Sequence, residues 1–306
     1  MPVSRRRFLA FAAGLPAACT AACTASPDGP MALGQPDDDR LVMHAFLPEG
    51  APKAVILALH GYGDAGDLTF GRAAAAWTAR GIAVFAPDQR GFGSNPSRRH
   101  WPGVDVLASD ARAHAHALRR RFPDLPLTVV GHSMGGGVAL VAAGQGLDAD
   151  GLVLAGPAIA GGEALGEVAR GAARLLATAL PERRWTGEGV VRIQPTDDLD
   201  ALRTVAADPR HFGDPSSREL YGLVLLMDRA AAAAPSVHLP TVVMMGARDQ
   251  VLRPESVEQV ALTIPGLTRY ILYPRGWHWL FRDRQAPRVW ADTGDIALGV
   301  TRSDFP

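Results

Sequence analysis

The sequence predicts an α/β fold, with a mostly parallel central sheet of about seven to eight strands, helices on both faces and a helical insertion. Three observations lead there. From residue 40 onward, short apolar runs alternate with alanine-rich or amphipathic segments, the rhythm of a parallel sheet whose crossovers are helices. The rhythm stops between 158 and 239 and resumes at 240. Finally, the run 127–130 passes through Gly131-His132-Ser133-Met134-Gly135-Gly136-Gly137 into the small-residue segment 138–143. That is the strand, sharp turn and helix in which a Gly-x-Ser-x-Gly serine is held at a strand end.

In chain order, residues 1–26 stand apart from the fold. Ser4-Arg5-Arg6-Arg7-Phe8-Leu9 is a twin-arginine type of basic region, and the apolar run 8–18 suits an export signal but is too short to span a bilayer. The only two cysteines, Cys19 and Cys23, follow that run directly. The folded part is therefore expected to hold no disulfide. Ala17-Ala18-Cys19 and Ala21-Ala22-Cys23 each resemble the small-residue approach to a lipidated cysteine, so either could anchor the chain to a membrane, with simple cleavage nearby as the alternative. Exported, the protein would be periplasmic or a lipoprotein facing away from the cytoplasm. Residues 27–39 are rich in Pro, Gly and Asp and read as a linker.

Residues 41–47 alternate as a strand and 54–59 form a buried-strand run, ending in His60-Gly61-Tyr62-Gly63. A helix is expected over 70–80, a buried strand over 82–86, and an amphipathic helix over 104–122 with Leu107, Ala111, Leu118 and Phe122 on one face. Residue 126 opens the strand that reaches Ser133, and 151–155 is a further short strand. The insertion 158–239 reads as a helix over 163–180, a polar, turn-rich interval over 181–215 and a helix over 217–234. The core then resumes with a strand at 241–245, a helix at 254–262, a strand at 268–273 and a helix near 284–298. The expected organisation is thus a core of 40–157 and 240–306 carrying a helical cap at 158–239.

Composition narrows the chemistry. With 31 basic and 31 acidic residues, the chain gives no electrostatic reason to expect nucleic acid as a partner. Cleavage before Cys23 removes three arginines and no acid, leaving a net charge of −3. No His-x-x-x-His or Cys/His cluster with ligand spacing occurs, and His114 and His116 fall on different faces of a predicted helix, so no metal is expected. Gly61-Tyr62-Gly63 and Gly91-Phe92-Gly93 do not continue as dinucleotide fingerprints, so no cofactor is expected either.

With 33 glycines in 306 residues, Gly-x-Ser-x-Gly needs its context to count. A serine hydroxyl becomes a nucleophile when a base takes its proton and a third group orients that base. Ser133 is followed by Asp249, just past the strand 241–245, and then by His278, just past the strand 268–273. The other histidines are less suited: His100, His114, His116, His211 and His238 lack a strand-end position, His44 lies within a strand, His132 is the turn's variable residue, and His60 is suited to bracing its own loop. Asp283 is the rival acid. The amides of Met134, at a helix N-terminus, and of Tyr62, in the glycine loop, could donate to a developing oxyanion.

Taken together, these segments resemble the α/β-hydrolase superfamily, and within it the monoacylglycerol lipase and lysophospholipase-like group labelled serine aminopeptidase-like. The resemblance is carried by His60-Gly-Tyr-Gly63, Asp88-Gln-Arg-Gly-Phe-Gly-Ser94, Gly131-His-Ser-Met-Gly-Gly136, Gly246-Ala-Arg-Asp249 and Tyr273-Pro-Arg-Gly-Trp-His278, across about residues 40 to 300. It implies Ser133 as nucleophile, Asp249 as acid, His278 as base, Tyr62 and Met134 as oxyanion donors, and a structural role for the loop 88–94. The implied substrate is a small acyl ester such as a monoacylglycerol or lysophospholipid. An amide-cleaving peptidase on the same residues and a non-catalytic binding protein that keeps the fold are the alternatives. In the cap, Trp185, Phe212, Tyr221, Leu225 and Met227 are candidates to line an acyl pocket, though such residues also serve plain packing.

Overall fold

Runs such as 54–59 and 241–246, in which every residue is buried, form only where a sheet is covered on both faces. The computed structural model describes residues 41–161, 166–186 and 193–300. The export segment, Cys19, Cys23 and the linker 27–39 lie outside the described residues. Seven strands, β1 (Met43–Phe46), β2 (Ala54–Leu59), β3 (Ile82–Pro87), β4 (Leu127–His132), β5 (Gly151–Ala155), β6 (Thr241–Gly246) and β7 (Leu267–Tyr273), make one sheet in the order β1-β3-β2-β4-β5-β6-β7. All neighbours pair parallel except β1 with β3.

The pleat sorts side chains to two cores. Val55, Leu57 and Leu59 of β2 face helices α2 (Val104–Arg121) and α3 (Met134–Gly144), in one core with Leu107, Leu118, Val138 and Leu140, and that core continues under β6 and β7 to Val257 of α7 (Pro254–Ala261). Ala54, Ile56 and Ala58 point the other way, to Phe70 and Trp77 of α1 (Gly66–Thr78) and Val289 of α8 (Ala286–Ala297). The chain runs outward from β2 to β3 and then crosses back to β4. The strand order therefore reverses between β2 and β4, the position at which open α/β sheets bind ligands beyond the carboxyl ends of their strands. Tyr62 follows β2 and Ser133 follows β4.

Between β5 and β6 the chain forms α4 (Gly166–Ala179), α5 (Leu199–Ala207) and α6 (Ser217–Ala233). Helix α6 begins with a capping box, Ser216 Oγ accepting from the Glu219 amide while the Glu219 carboxylate accepts from the Ser216 amide. It packs on α3 and α4. Helix α5 adds to the polar, turn-rich reading of 181–215 a helix that reading had not placed. Its signal was present in Asp198, whose carboxylate caps the helix by accepting from the amides of Asp200 and Ala201, and in the spacing of Ala201 and Val205, its two buried residues. Among the described residues no helix is long and apolar enough to cross a membrane.

Candidate active site

Ser133 is the N-cap of α3 and sits at φ +52° and ψ −116°, a backbone conformation that costs energy in any residue with a side chain. Hydrogen bonds hold it there. The Ser133 amide donates to the Ala155 carbonyl at 3.0 Å, and its carbonyl accepts from Gly136 and Ala158, each at 2.9 Å. The flanking glycines are required by contact. A Cβ at Gly131 would lie 2.5 Å from the Gly135 carbonyl oxygen and 2.6 Å from Gly136 Cα, and one at Gly135 would strike the Leu59 carbonyl of β2.

The structure brings the three sequence-predicted side chains together across the ends of three strands. His278 Nε2 lies 3.0 Å from Ser133 Oγ, and His278 Nδ1 lies 2.8 Å from Asp249 Oδ2. Both partners are shielded, with 6% of the His278 side chain and none of the Asp249 side chain exposed. Asp249 Oδ1 accepts from the amides of Val251 (2.8 Å) and Leu252 (2.9 Å). Burial alone would raise the Asp249 pKa, but His278 and those amides more than offset it and hold it below the usual carboxylate value. An ionised Asp249 fixes the proton on Nδ1 of neutral His278, which leaves Nε2 free to accept from the serine hydroxyl. The acid and base loops are also joined by backbone, since the Arg248 amide donates to the Gly276 carbonyl at 2.9 Å.

The amides of Tyr62 and Met134 donate no hydrogen bond among the described residues, so both remain available to a bound oxygen. Gly61 brings the two loops close, because a Cβ there would sit 3.4 Å from Ser133 Cβ. The Tyr62 ring turns toward the insertion and packs edge-on against Phe92 and Phe212. The Phe212 amide donates to the Gly63 carbonyl at 2.9 Å, so the insertion grips the glycine loop by its backbone.

The rival groups have other employment. Asp283 accepts from the amides of Trp277 (2.9 Å) and Gln285 (3.1 Å). Burial, with Asp197 nearby, pushes its pKa up to about 7. His60 braces its loop: Nδ1–H donates to the Gly61 carbonyl at 2.7 Å and Nε2 accepts from the Gln89 amide at 2.9 Å. His132 donates from Nε2 to the His278 carbonyl at 2.9 Å, and burial together with His278 lowers its pKa to about 3, so it stays neutral. Sequence reasoning missed this last contact because nothing in the pattern ties the turn's variable residue to a loop 146 positions away.

In the loop after β3, Asp88 accepts from the amides of Gly66 and Ser94, both at 2.8 Å, and from His44 Nε2 at 3.0 Å. The ring nitrogen of His44 and the carboxylates of Asp67 and Asp88 lie within 4.8 Å of one another, a cluster that the sequence had not suggested. Asp67 is itself bound by Arg210, which makes the cluster an ion-pair node. Of the cap residues singled out in the sequence, Phe212 is buried, Trp185 donates from Nε1 to Ser217 Oγ at 2.9 Å, and Leu225 is exposed.

A nucleophile turn at the end of the central strand, with a histidine and an aspartate at later strand ends, defines the α/β-hydrolase fold class. Comparison with known proteins agrees. The family described as "Serine aminopeptidase, S33" matches residues 50–285. The chain belongs to that family and is a lipase-like hydrolase. It is 29% identical over 222 residues to the monoacylglycerol lipase of Mycolicibacterium smegmatis, covering 70% of this chain and 76% of that one. It is 27% identical over 225 residues to the monoglyceride lipase of Homo sapiens, covering 70% and 71%. Among solved structures, a soluble variant of the Saccharomyces cerevisiae monoglyceride lipase superposes with a TM-score of 0.74 at 20% identity, covering 88% of this chain and 95% of that one. The Paleococcus ferrophilus monoacylglycerol lipase gives 0.71 at 19%, covering 85% and 99%.

Proposed function

We propose that the protein is a serine esterase that cleaves carboxylic acyl esters of the monoacylglycerol or lysophospholipid kind through an acyl-enzyme. The reading rests above all on the continuous hydrogen-bonded line Ser133 Oγ, His278 Nε2, His278 Nδ1, Asp249. In the first step Oγ attacks the ester carbonyl while His278 takes its proton, and Asp249 stabilises the imidazolium. The oxyanion accepts from the Met134 and Tyr62 amides, and removal of one such donor typically costs about 10²- to 10³-fold in rate. His278 then gives its proton to the departing alkoxide, which leaves as the alcohol. Water, deprotonated by the same imidazole, adds to the acyl carbonyl and releases the carboxylic acid, and the proton returns to Ser133. The substrate class comes from the likeness to monoacylglycerol lipases, with 158–239 acting as the cap that governs entry.

The test is Ser133→Ala. Turnover of short p-nitrophenyl esters and labelling by a fluorophosphonate probe are both expected to vanish, and labelling that persists would sink the assignment. The family's description keeps an amide-cleaving peptidase as a second reading. An aminoacyl amide hydrolysed faster than the matching ester would favour it. We also propose that the segment 1–26 directs export and that Cys19 or Cys23 carries a lipid. Arg6→Lys/Arg7→Lys should then leave the protein in the cytoplasm, and fractionation showing unchanged export would reject that part.

A further inference from the structure

The oxyanion loop follows β2, the base-bearing loop follows β7, and the sheet order puts β4, β5 and β6 between those strands. Strand pairing therefore cannot register one loop against the other. A side-chain contact does. Arg282, four residues beyond His278, donates from Nη2 to Asp64 Oδ2 at 2.5 Å, and Asp64 directly follows Gly63. The two side chains are 5% and 4% exposed. Each is tied down locally as well. Asp64 Oδ1 accepts from the Ala65 amide at 3.0 Å, and Arg282 Nη1 reaches the Leu68 carbonyl at 3.4 Å. The guanidinium lies over the Trp279 ring at 4.1 Å, and the Arg282 carbonyl accepts from Thr196 Oγ1 at 3.0 Å.

We propose that the buried Asp64–Arg282 pair is a positioning device that sets the Tyr62 amide and His278 against each other, so that oxyanion donor and base arrive at Ser133 together. The inference rests on the roles given above to Ser133, His278 and the Tyr62 amide. Two charges withdrawn from water are a poor route to stability, since a well-packed apolar pair generally does as well or better. What the pair supplies that an apolar contact would not is direction, a fixed angle between a planar guanidinium and a carboxylate.

Positioning and plain stabilisation part company in one measurement. A thionoester presents sulfur, a weak acceptor, to the oxyanion donors, so the ratio of oxoester to thionoester rates reads how well those donors are aimed. The variant Asp64→Asn/Arg282→Met breaks the link while keeping the acceptor for the Ala65 amide and leaving no unpaired buried charge. We expect kcat to fall about 10²-fold with KM within about threefold, and the oxoester-to-thionoester ratio to fall about tenfold, at a melting temperature near that of the wild type. Arg282→Lys retains the charge but loses the planar stack and the second donor, and should lower the ratio about threefold. An unchanged ratio in the folded double variant overturns the proposal, and if that variant does not fold, an unchanged ratio in Arg282→Lys does so. Ser133→Ala, assayed in parallel, separates the two levels: turnover remaining there overturns the reading of the site itself, whereas turnover lost there with the ratio intact elsewhere overturns only the positioning role.

Discussion

The strand-end loops and the segment between β5 and β6 touch each other, through the Phe212 amide on the Gly63 carbonyl and the Trp279 amide on the Pro195 carbonyl, yet they are specified in different ways. Around Ser133 the backbone is so crowded that single positions admit one residue type, and the side chains of Ser133, His278 and Asp249 are joined by directed hydrogen bonds. The insertion is held by helix α6 laid on α3, with α4 laid in turn on α6, and with Leu175 and Leu180 left exposed. Steric exclusion leaves a mark in the sequence that generic apolar packing does not. This is why the proposed reaction leaves a trace in the chain while its substrate does not.

The same substitution made in each region tests that difference most severely. A Cβ at Gly135 would lie 2.5 Å from the Leu59 carbonyl carbon and 2.7 Å from the His60 carbonyl oxygen, whereas one at Gly171, in α4, meets nothing within 4 Å. Gly135→Ala should therefore abolish activity and cost more than about 4 kcal/mol, through forced separation of α3 from β2. Gly171→Ala, at an exposed helical position, should stabilise by about 0.4–1 kcal/mol because the unfolded chain loses freedom. Denaturant melts with an esterase assay on both variants check the contrast. An active, stable Gly135→Ala protein would remove the steric argument.

Legibility follows the same division. The central strands were readable because fully buried parallel strands are continuous apolar runs, and Ser133, Asp249 and His278 stood out as candidates because each lies within a few residues of the end of a predicted strand, although β7, which precedes His278, is only partly buried. Helix α5 was hidden in a polar interval: seven of its nine residues are not buried, so its apolar periodicity is reduced to the single pair Ala201 and Val205, and the Asp198 cap was the stronger mark. The Asp64–Arg282 contact, 218 residues apart in sequence, left no local pattern at all, and neither did the His132 brace. Directed polar contacts between loops on non-adjacent strands emerge only once the sheet order is known.

Within the strand-end loops, two aspartates show how environment divides like from like. Asp249 faces His278 and two amides and is held ionised, while Asp283, also buried and near the same loop, has no cation against it among the described residues, and burial pushes its pKa up to about 7. The consequences for stability have opposite signs. For Asp283 the folded state keeps a proton that the unfolded chain, with a carboxyl near its ordinary value of 3.8, has already lost. Its contribution is therefore fully present below that lower value and fades as pH rises toward about 7. Asparagine mimics the protonated acid, so in Asp283→Asn the melting temperature relative to wild type should climb between pH 5 and 8, by the equivalent of about 3 kcal/mol at most. Asp249 behaves in reverse, adding stability at neutral pH that is lost on acidification through its depressed value. Melting curves of Asp283→Asn and wild type that run parallel across that range would show that the Asp283 carboxylate is as comfortable charged as neutral. The stabilisation of that charge would then have to come from the Trp277 and Gln285 amides, which already donate to its two oxygens.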